Sequence, residues 1–335
     1  MPFNGLEIKE SKEAVAFSPG HITGFFEICD KPEDPLRTGS RGVGVCINRG
    51  VMTRVHVKPS SKKLIEIQIN SQKTDSAIVS QEVVNIFHSL NATKLDILVE
   101  HYVEIPIGCG LGVSGAGALS LALALNRILG ILKADIEAAQ IAHTAEIKCK
   151  TGLGTVLAQT KGGLTVRKEP GGPGLGVIDS IPIGDDYRIL CLVFEKIPTE
   201  QMLSDQKLKE RINENGSTAL KEFLKQPKIE KFMELSRNFA ESVGLISERV
   251  RKIIVSADNS GFVCSQAMFG ETVFSIVKTG DAPKLAEIFN RFALMRTQKN
   301  ADRIGLTRIK SAKICVPKTI CAKIDTLGAR VLLDK

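Results

Sequence analysis

The chain has no tryptophan and only two tyrosines in 335 residues, and aromatics make up 5% of it. Stacking platforms for bases are therefore scarce, which argues against a nucleic-acid binder. The formal charge of +8 does not reverse that reading, because lysines are spread through segments such as 205–231 and no dense basic block occurs. A positive field serves anionic small substrates as well. Long apolar runs are missing: Ala116–Leu125, the longest, is interrupted by Ser120 and is far too short to span a bilayer. The eight cysteines form no C-x-x-C pair, which speaks against zinc and disulfide frameworks. Cys46, Cys191 and Cys264 stand in apolar settings and read as small buried thiols of a reducing cytoplasm. The opening MPFNGLEIKESKEAVAF lacks the basic start and apolar core of a signal peptide. No Gly-Lys-Ser/Thr tripeptide occurs, which removes the Walker loop. What remains is a soluble chain of ordinary composition, 43% hydrophobic and 24% charged, long enough for two domains.

Glycine, by contrast, is concentrated where it matters. Pro106–Asn126 reads PIGCGLGVSGAGALSLALALN, with glycines at 108, 110, 112, 115 and 117 and a hydroxyl at Ser114. A glycine-rich turn feeding a helix gathers backbone N–H groups at the positive end of the helix dipole, which suits a phosphate. The dinucleotide fingerprint G-x-G-x-x-G is present at Gly110, Gly112 and Gly115, but in the wrong context. The strand before it, Leu95–Ile105, alternates and is half polar, and the next acids, Asp135 and Glu137, open another helix.

Along the chain, Ala14–Phe17 reads as a strand leading to a turn at Ser18-Pro19-Gly20, which leaves His21 and Thr23 on an accessible corner. Thr38–Ile47 reads as a second glycine corner, carrying Ser40 and Arg41. On local grounds it is a hairpin turn or a carboxylate site, since guanidinium recognises carboxylates well. Strands follow at Val51–Val57 and Leu64–Ile69, a helix at Ser76–His88, and a helix at Ile136–Cys149 capped by Asp135. His143 and Glu146 share a face of that helix at i, i+3. A carboxylate aimed at the glycines of KTGLGTVLAQTKGG suits magnesium, which takes few protein oxygens; taken alone, Glu146 would pair with Lys150 on the surface. Near Gly184-Asp185-Asp186 the character changes, which sets domains at 1–185 and 186–335. A buried strand at Arg188–Phe194, helices at Thr199–Leu224 and Lys228–Val255, a strand at Thr272–Val277 and a helix at Ala282–Phe292 suggest a ferredoxin-like sandwich. The fold class is α+β, with an N-terminal α/β layer domain ahead of that sandwich.

P-x-x-x-G-L-G-x-S, read as Pro106, Gly110, Leu111, Gly112 and Ser114, resembles the central motif of the galactokinase, homoserine kinase, mevalonate kinase and phosphomevalonate kinase (GHMP) superfamily. SPGHITGFFEI with TGSRGVGV, HTAEIKCKTGLGTVLAQTKGGLTVR and SQAMFGETVFSI narrow the likeness: together they resemble the archaeal pantoate kinases, which phosphorylate the terminal hydroxyl of pantoate in coenzyme A synthesis. The resemblance implies ATP and Mg2+ as cofactors, with the ATP phosphates wrapped by Pro106, Gly108, Gly110, Leu111, Gly112, Val113, Ser114, Gly115 and Ala116. It places the metal on Ser114 and Glu146 and the acceptor near His21, Ser40, Arg41, His143 and Arg167, with Arg167 or Arg41 on the pantoate carboxylate. The stretch 261–270 falls at the third motif of the superfamily, a loop that closes the cleft. Many members carry an aspartate base where this chain has Thr155. Transfer without a base, His143 as substitute base, and drift to another substrate or loss of activity are the three readings. The rivals are a kinase for another small hydroxy acid, of the homoserine or mevalonate type, and a catalytically silent nucleotide-binding regulator. A homodimer, no nucleic acid, no membrane and a cytoplasmic location complete the expectations.

Overall fold

The computed structural model describes residues 10–91, 93–132, 134–196, 205–304 and 317–334. The sequence expectations on the N-terminal opening and on 199–204 fall outside these residues, in whole or in large part.

Two long antiparallel strands, β1 (Lys12–Cys29) and β2 (Gly39–Pro59), form the backbone of the first sheet. The expected turn at Ser18-Pro19-Gly20 is a register shift inside β1: Pro19 pairs with Gly50 and Gly20 with Ile47, so Asn48 and Arg49 bulge out of β2. Proline cannot donate to the ladder, and a bulge absorbs it without ending the strand. The corner expected at Thr38–Ile47 is likewise continuous strand. β3 (Leu64–Ile69), β4 (Gln72–Lys73) and β5 (Leu95–Val103) extend the sheet beyond β2, while β6 (Leu164–Glu169) pairs with the first half of β2 and carries β7 (Val177–Ile181) outside it.

Helices α1 (Ile78–Leu90), α2 (Val113–Leu129) and α3 (Asp135–Lys148) cover one face of this sheet. α2 is the central one. Its Ala/Leu sequence is apolar all round, and it is buried on nearly all sides, as such a helix must be. The cap of α3 is Ala134 and not Asp135, with the Glu137 carboxylate accepting from the Ala134 amide at 3.1 Å. A short α4 (Thr155–Lys161) follows.

The second sheet holds β8 (Tyr187–Lys196), β9 (Ser265–Gln266), β10 (Gly270–Lys278) and β11 (Lys318–Ala322) in the order β11-β8-β10-β9, all antiparallel. With α5 (Gln206–Lys225), α6 (Ile229–Val243), α7 (Glu248–Asp258) and α8 (Ala282–Ile304) between its strands, this is the ferredoxin-like order. The single helix expected over Lys228–Val255 is two, because Gly244 ends α6 at φ 78° and Ser247 caps α7. A row of phenylalanines stitches the layers together. Phe25 of β1 lies 6.0 Å from Phe223 and 6.2 Å from Phe232, which in turn is 6.2 Å from Phe274 of β10. The expected boundary at 185/186 falls in the turn before β8. The assignment of 186–335 to one unit is corrected at its end, because β12 (Arg330–Asp334) returns to the first sheet and pairs with β1.

Candidate active site

β5 hands the chain to a loop, 104–112, that turns into α2. Gly108, Gly110 and Gly112 all have left-handed φ, at 79°, 79° and 68°. At Gly112, the residue that starts the helix, a side chain would be both strained and crowded, with a Cβ only 2.9 Å from Thr155 Cγ2. The loop is fixed through its carbonyls. The His21 amide donates to Leu111 O at 2.9 Å, Gln159 Nε2 donates to Gly112 O and to Pro19 O at 2.8 Å each, and Thr272 Oγ1 donates to Cys109 O at 2.7 Å. No side chain caps α2, so its leading amides stay open for an anion. The 267–270 segment presses on the loop so closely that a Cβ on Gly270 would collide with the Cys109 carbonyl.

Just inside the helix, the Ser114 hydroxyl donates to the Glu146 carboxylate, and Thr151 Oγ1 donates to Glu146 Oε1 at 2.6 Å. Glu146 is buried and does not pair with Lys150 on the surface. Burial pushes its carboxyl above the usual range, and the two hydroxyls pull it back only in part. A buried carboxylate with neutral hydroxyl partners, beside open helix amides, fits a hard cation shared with a phosphate. Magnesium takes one or two protein oxygens, which agrees with the absence of any cluster of three or more His, Cys, Asp or Glu ligands among the described residues.

A cavity of about 290 Å³ opens between the loop, the Thr151–Thr155 turn and one face of the first sheet. Along β2, Ser40 points into it while Arg41 points to the opposite face, as successive strand residues must. Arg41 Nε and Nη2 bond Glu27 Oε2 at 3.0 and 2.5 Å across the β1–β2 ladder, so the expected role of Arg41 on a substrate is corrected to a structural ion pair. Arg167 of β6 does line the cavity. It is 1% exposed, and its Nε and Nη1 have no hydrogen-bond partner. A Cβ on Gly154 would collide with Ser40 Oγ and sit 2.9 Å from Arg167 Nε, which locates the two side chains side by side. Burial lowers the Arg167 pKa to about 10, so it stays charged at neutral pH. His21 completes this corner, with its Nε2 buried and unpartnered. Burial, reinforced by the Arg167 charge, holds its pKa well below the usual imidazole value, so it is neutral.

His143 is not brought to the cavity. Its Nε2–H donates to Thr38 O at 2.9 Å and Pro35 O at 3.1 Å, pinning the segment that leads into Ser40. The expected base and substrate contact is thus a support one layer behind Ser40. Thr155 opens α4 on the cavity wall, and the titratable side chains among the described lining residues are His21 and Arg167.

Sequence reasoning passed over Gln159, whose amide ties α4 to both β1 and the 104–112 loop. Its signal was a lone buried polar residue, i+4 from Thr155, in an apolar turn between glycine corners.

The loop, the serine–glutamate pair and the two-sheet architecture define a GHMP kinase. The family model of the GHMP kinases N terminal domain matches residues 78–163. The chain is 38% identical to the pantoate kinase of Methanocaldococcus jannaschii over 78% of its own length and 92% of that protein. It is 36% identical to the pantoate kinase of Thermococcus kodakarensis over 82% and 91%. A solved structure described as a phosphotransferase related to the CoA biosynthesis pathway superposes with a TM-score of 0.80 at 31% identity, covering 95% of this chain and 98% of that one. The chain belongs to the pantoate kinase family.

Proposed function

We propose that this protein transfers the γ-phosphate of ATP to the 4-hydroxyl of pantoate, giving 4-phosphopantoate and ADP. The observation that carries the reading is the Arg167 guanidinium, buried and charged with two unpartnered donors, on the wall facing the phosphate loop. A buried cation with open donors calls for a carboxylate, and its planar fork takes one in two parallel bonds. Ser40 lies beside it to bond the acid or its 2-hydroxyl.

With the carboxylate held there, the far hydroxyl of a short acid points back toward the amides of α2. Magnesium on Ser114 and Glu146 would supply charge neutralisation on the transferred phosphoryl group. The remaining work of the protein is positioning. Phosphoryl transfer has a loose transition state that asks for little proton removal beforehand, so Thr155 in place of a carboxylate is compatible with turnover. Homoserine fits less well, since its ammonium would meet Arg167 with no carboxylate among the described lining residues to receive it.

The seven described cysteines are free thiols, in keeping with a reducing cytoplasm. No helix of the described residues is long and apolar enough to cross a membrane. The homodimer is the working assembly, and light scattering on the eluting peak of a sizing column tests it. The test of function is ADP release with Mg-ATP and pantoate, homoserine, mevalonate or no acceptor. Turnover with pantoate alone is the expected result; turnover with another acceptor moves the substrate assignment, and ATP binding without turnover makes the protein a silent regulator.

A further inference from the structure

Opposite the polar corner of Ser40, Arg167 and His21, the cavity is apolar, and one residue there is held in an unusual way. Phe269 lies in the left-handed region at φ 59°, which a bulky side chain rarely adopts. Such a conformation costs of order 1–3 kcal/mol and persists only where surrounding contacts impose it, most often at functional sites. Its neighbours supply those contacts. Gly270, the next residue, is jammed against the Cys109 carbonyl, and Met268 is buried at 3% exposure. The Phe269 ring is thereby turned edge-on to Phe26, with centroids 5.5 Å apart at 76°. Both rings line the cavity. Phe26 is also placed by register: it pairs with Gly42, which pairs with Arg167, so the three share one row of the sheet, with no side chain in the middle. Arg167 and Phe26 thus stand on the same face of the sheet on either side of Gly42, and the cavity is lined by the guanidinium on one flank and the aromatic pair on the other. The lining residues Leu153 and Thr23 add no charge there.

Resting on the pantoate reading, we propose that Phe269, with Phe26 behind it, is the specificity-determining wall that selects an acid branched at the carbon between carboxylate end and acceptor hydroxyl. An acid anchored on Arg167 lays its middle carbons along that row. Two methyl groups on the third carbon fill the space against the rings, and an unbranched chain leaves it empty. One methyl or methylene in an apolar pocket is worth about 10–200-fold in kcat/KM.

The test compares pantoate with 2,4-dihydroxybutanoate, the same acid without its two methyl groups, on the wild type, Phe269→Leu and Phe269→Gly. Glycine accepts the left-handed backbone, so that variant removes the ring while relieving the local strain. The wild type should prefer pantoate by at least tenfold. Phe269→Gly should lose most of that preference through a raised KM for pantoate, with a clearly smaller loss in kcat/KM for the unbranched acid. Phe269→Leu should fall between. Equal loss with both acids would show that the ring serves only loop packing and would overturn the proposal. A wild type that does not turn over pantoate would instead overturn the functional reading itself, and a wild type indifferent to the methyl groups would overturn the wall alone.

Discussion

In the proposed acceptor pocket Arg167 carries the heaviest single burden, because its buried Nε and Nη1 have no partner within the protein. Hydrogen bonds to charged groups contribute about 1.5–3 kcal/mol each, so Arg167→Ala should raise KM for pantoate about 10–100-fold while leaving KM for ATP nearly unchanged. Initial-rate kinetics with each substrate varied check this. Glu146→Gln keeps the hydrogen bond from Ser114 but removes the charge, and should cost at least 100-fold in kcat at saturating magnesium. Thr155→Ala should keep kcat within about tenfold; a larger loss would mean that the hydroxyl does more than line the wall. At this scale the sequence was legible wherever chemistry follows from local context. Ser114 and Glu146 do meet beside the glycine turns, as the hydroxyl and carboxylate in that local context suggest. Arg41 and His143 were misplaced because their direction depends on register. Once 39–59 is strand and not a corner, Ser40 and Arg41 must face opposite ways, and His143, on the same helix face as Glu146 but nearly one turn earlier, meets the Pro35 and Thr38 carbonyls instead.

The 104–112 loop is shaped by elements that are remote in sequence, above all the 267–270 segment pressed on Cys109. Gly270→Ala should therefore disturb both packing and catalysis: overpacking of this kind costs about 1–3 kcal/mol, read as a Tm lowered by a few degrees, with KM for ATP raised alongside. α2 is steadied below the loop by a buried polar cluster. His101 Nδ1 bonds Thr53 Oγ1 at 2.8 Å, its Nε2 bonds Ser80 Oγ at 2.9 Å, and Thr53 bonds Ser120 Oγ at 2.6 Å, which joins β5, β2, α1 and α2. Burial lowers the His101 pKa to about 4. The folded protein therefore keeps this ring neutral at pH values where the unfolded chain, near 6.5, takes up a proton. Stability should be unaffected by His101 above pH 6.5 and fall as pH drops from there toward 4, by an amount on the order of 3 kcal/mol. Urea midpoints across that range should show the slope, and His101→Gln should flatten it. None of this cluster is visible in the sequence, where Thr53, Ser80, His101 and Ser120 are polar residues in alternating or helical stretches with no local reason to meet.

The whole molecule is less modular than the sequence implies. The order of strands and helices after residue 186 was readable and matches the ferredoxin-like arrangement. The return of β12 to β1 was not readable, since strand pairing across more than 300 residues leaves no local trace. Asp325 helps to anchor that return: its Oδ1 accepts from the Leu327 and Gly328 amides at 3.1 and 2.9 Å, and its carboxylate also pairs with Arg330. Ala14 then sits opposite Asp334 in the ladder. The described beginning and end of the polypeptide thus run side by side, one strand spacing apart, and the path closes almost into a ring. Such a ring can be opened elsewhere. A circular permutant that joins the two ends by a short flexible linker and starts in the turn before Tyr187 would keep every strand pair while letting the second sheet be synthesised first. In the natural order, the outer edge of β1 stays bare until β12 has left the ribosome, so completion of the first sheet waits for a strand made about 300 residues later.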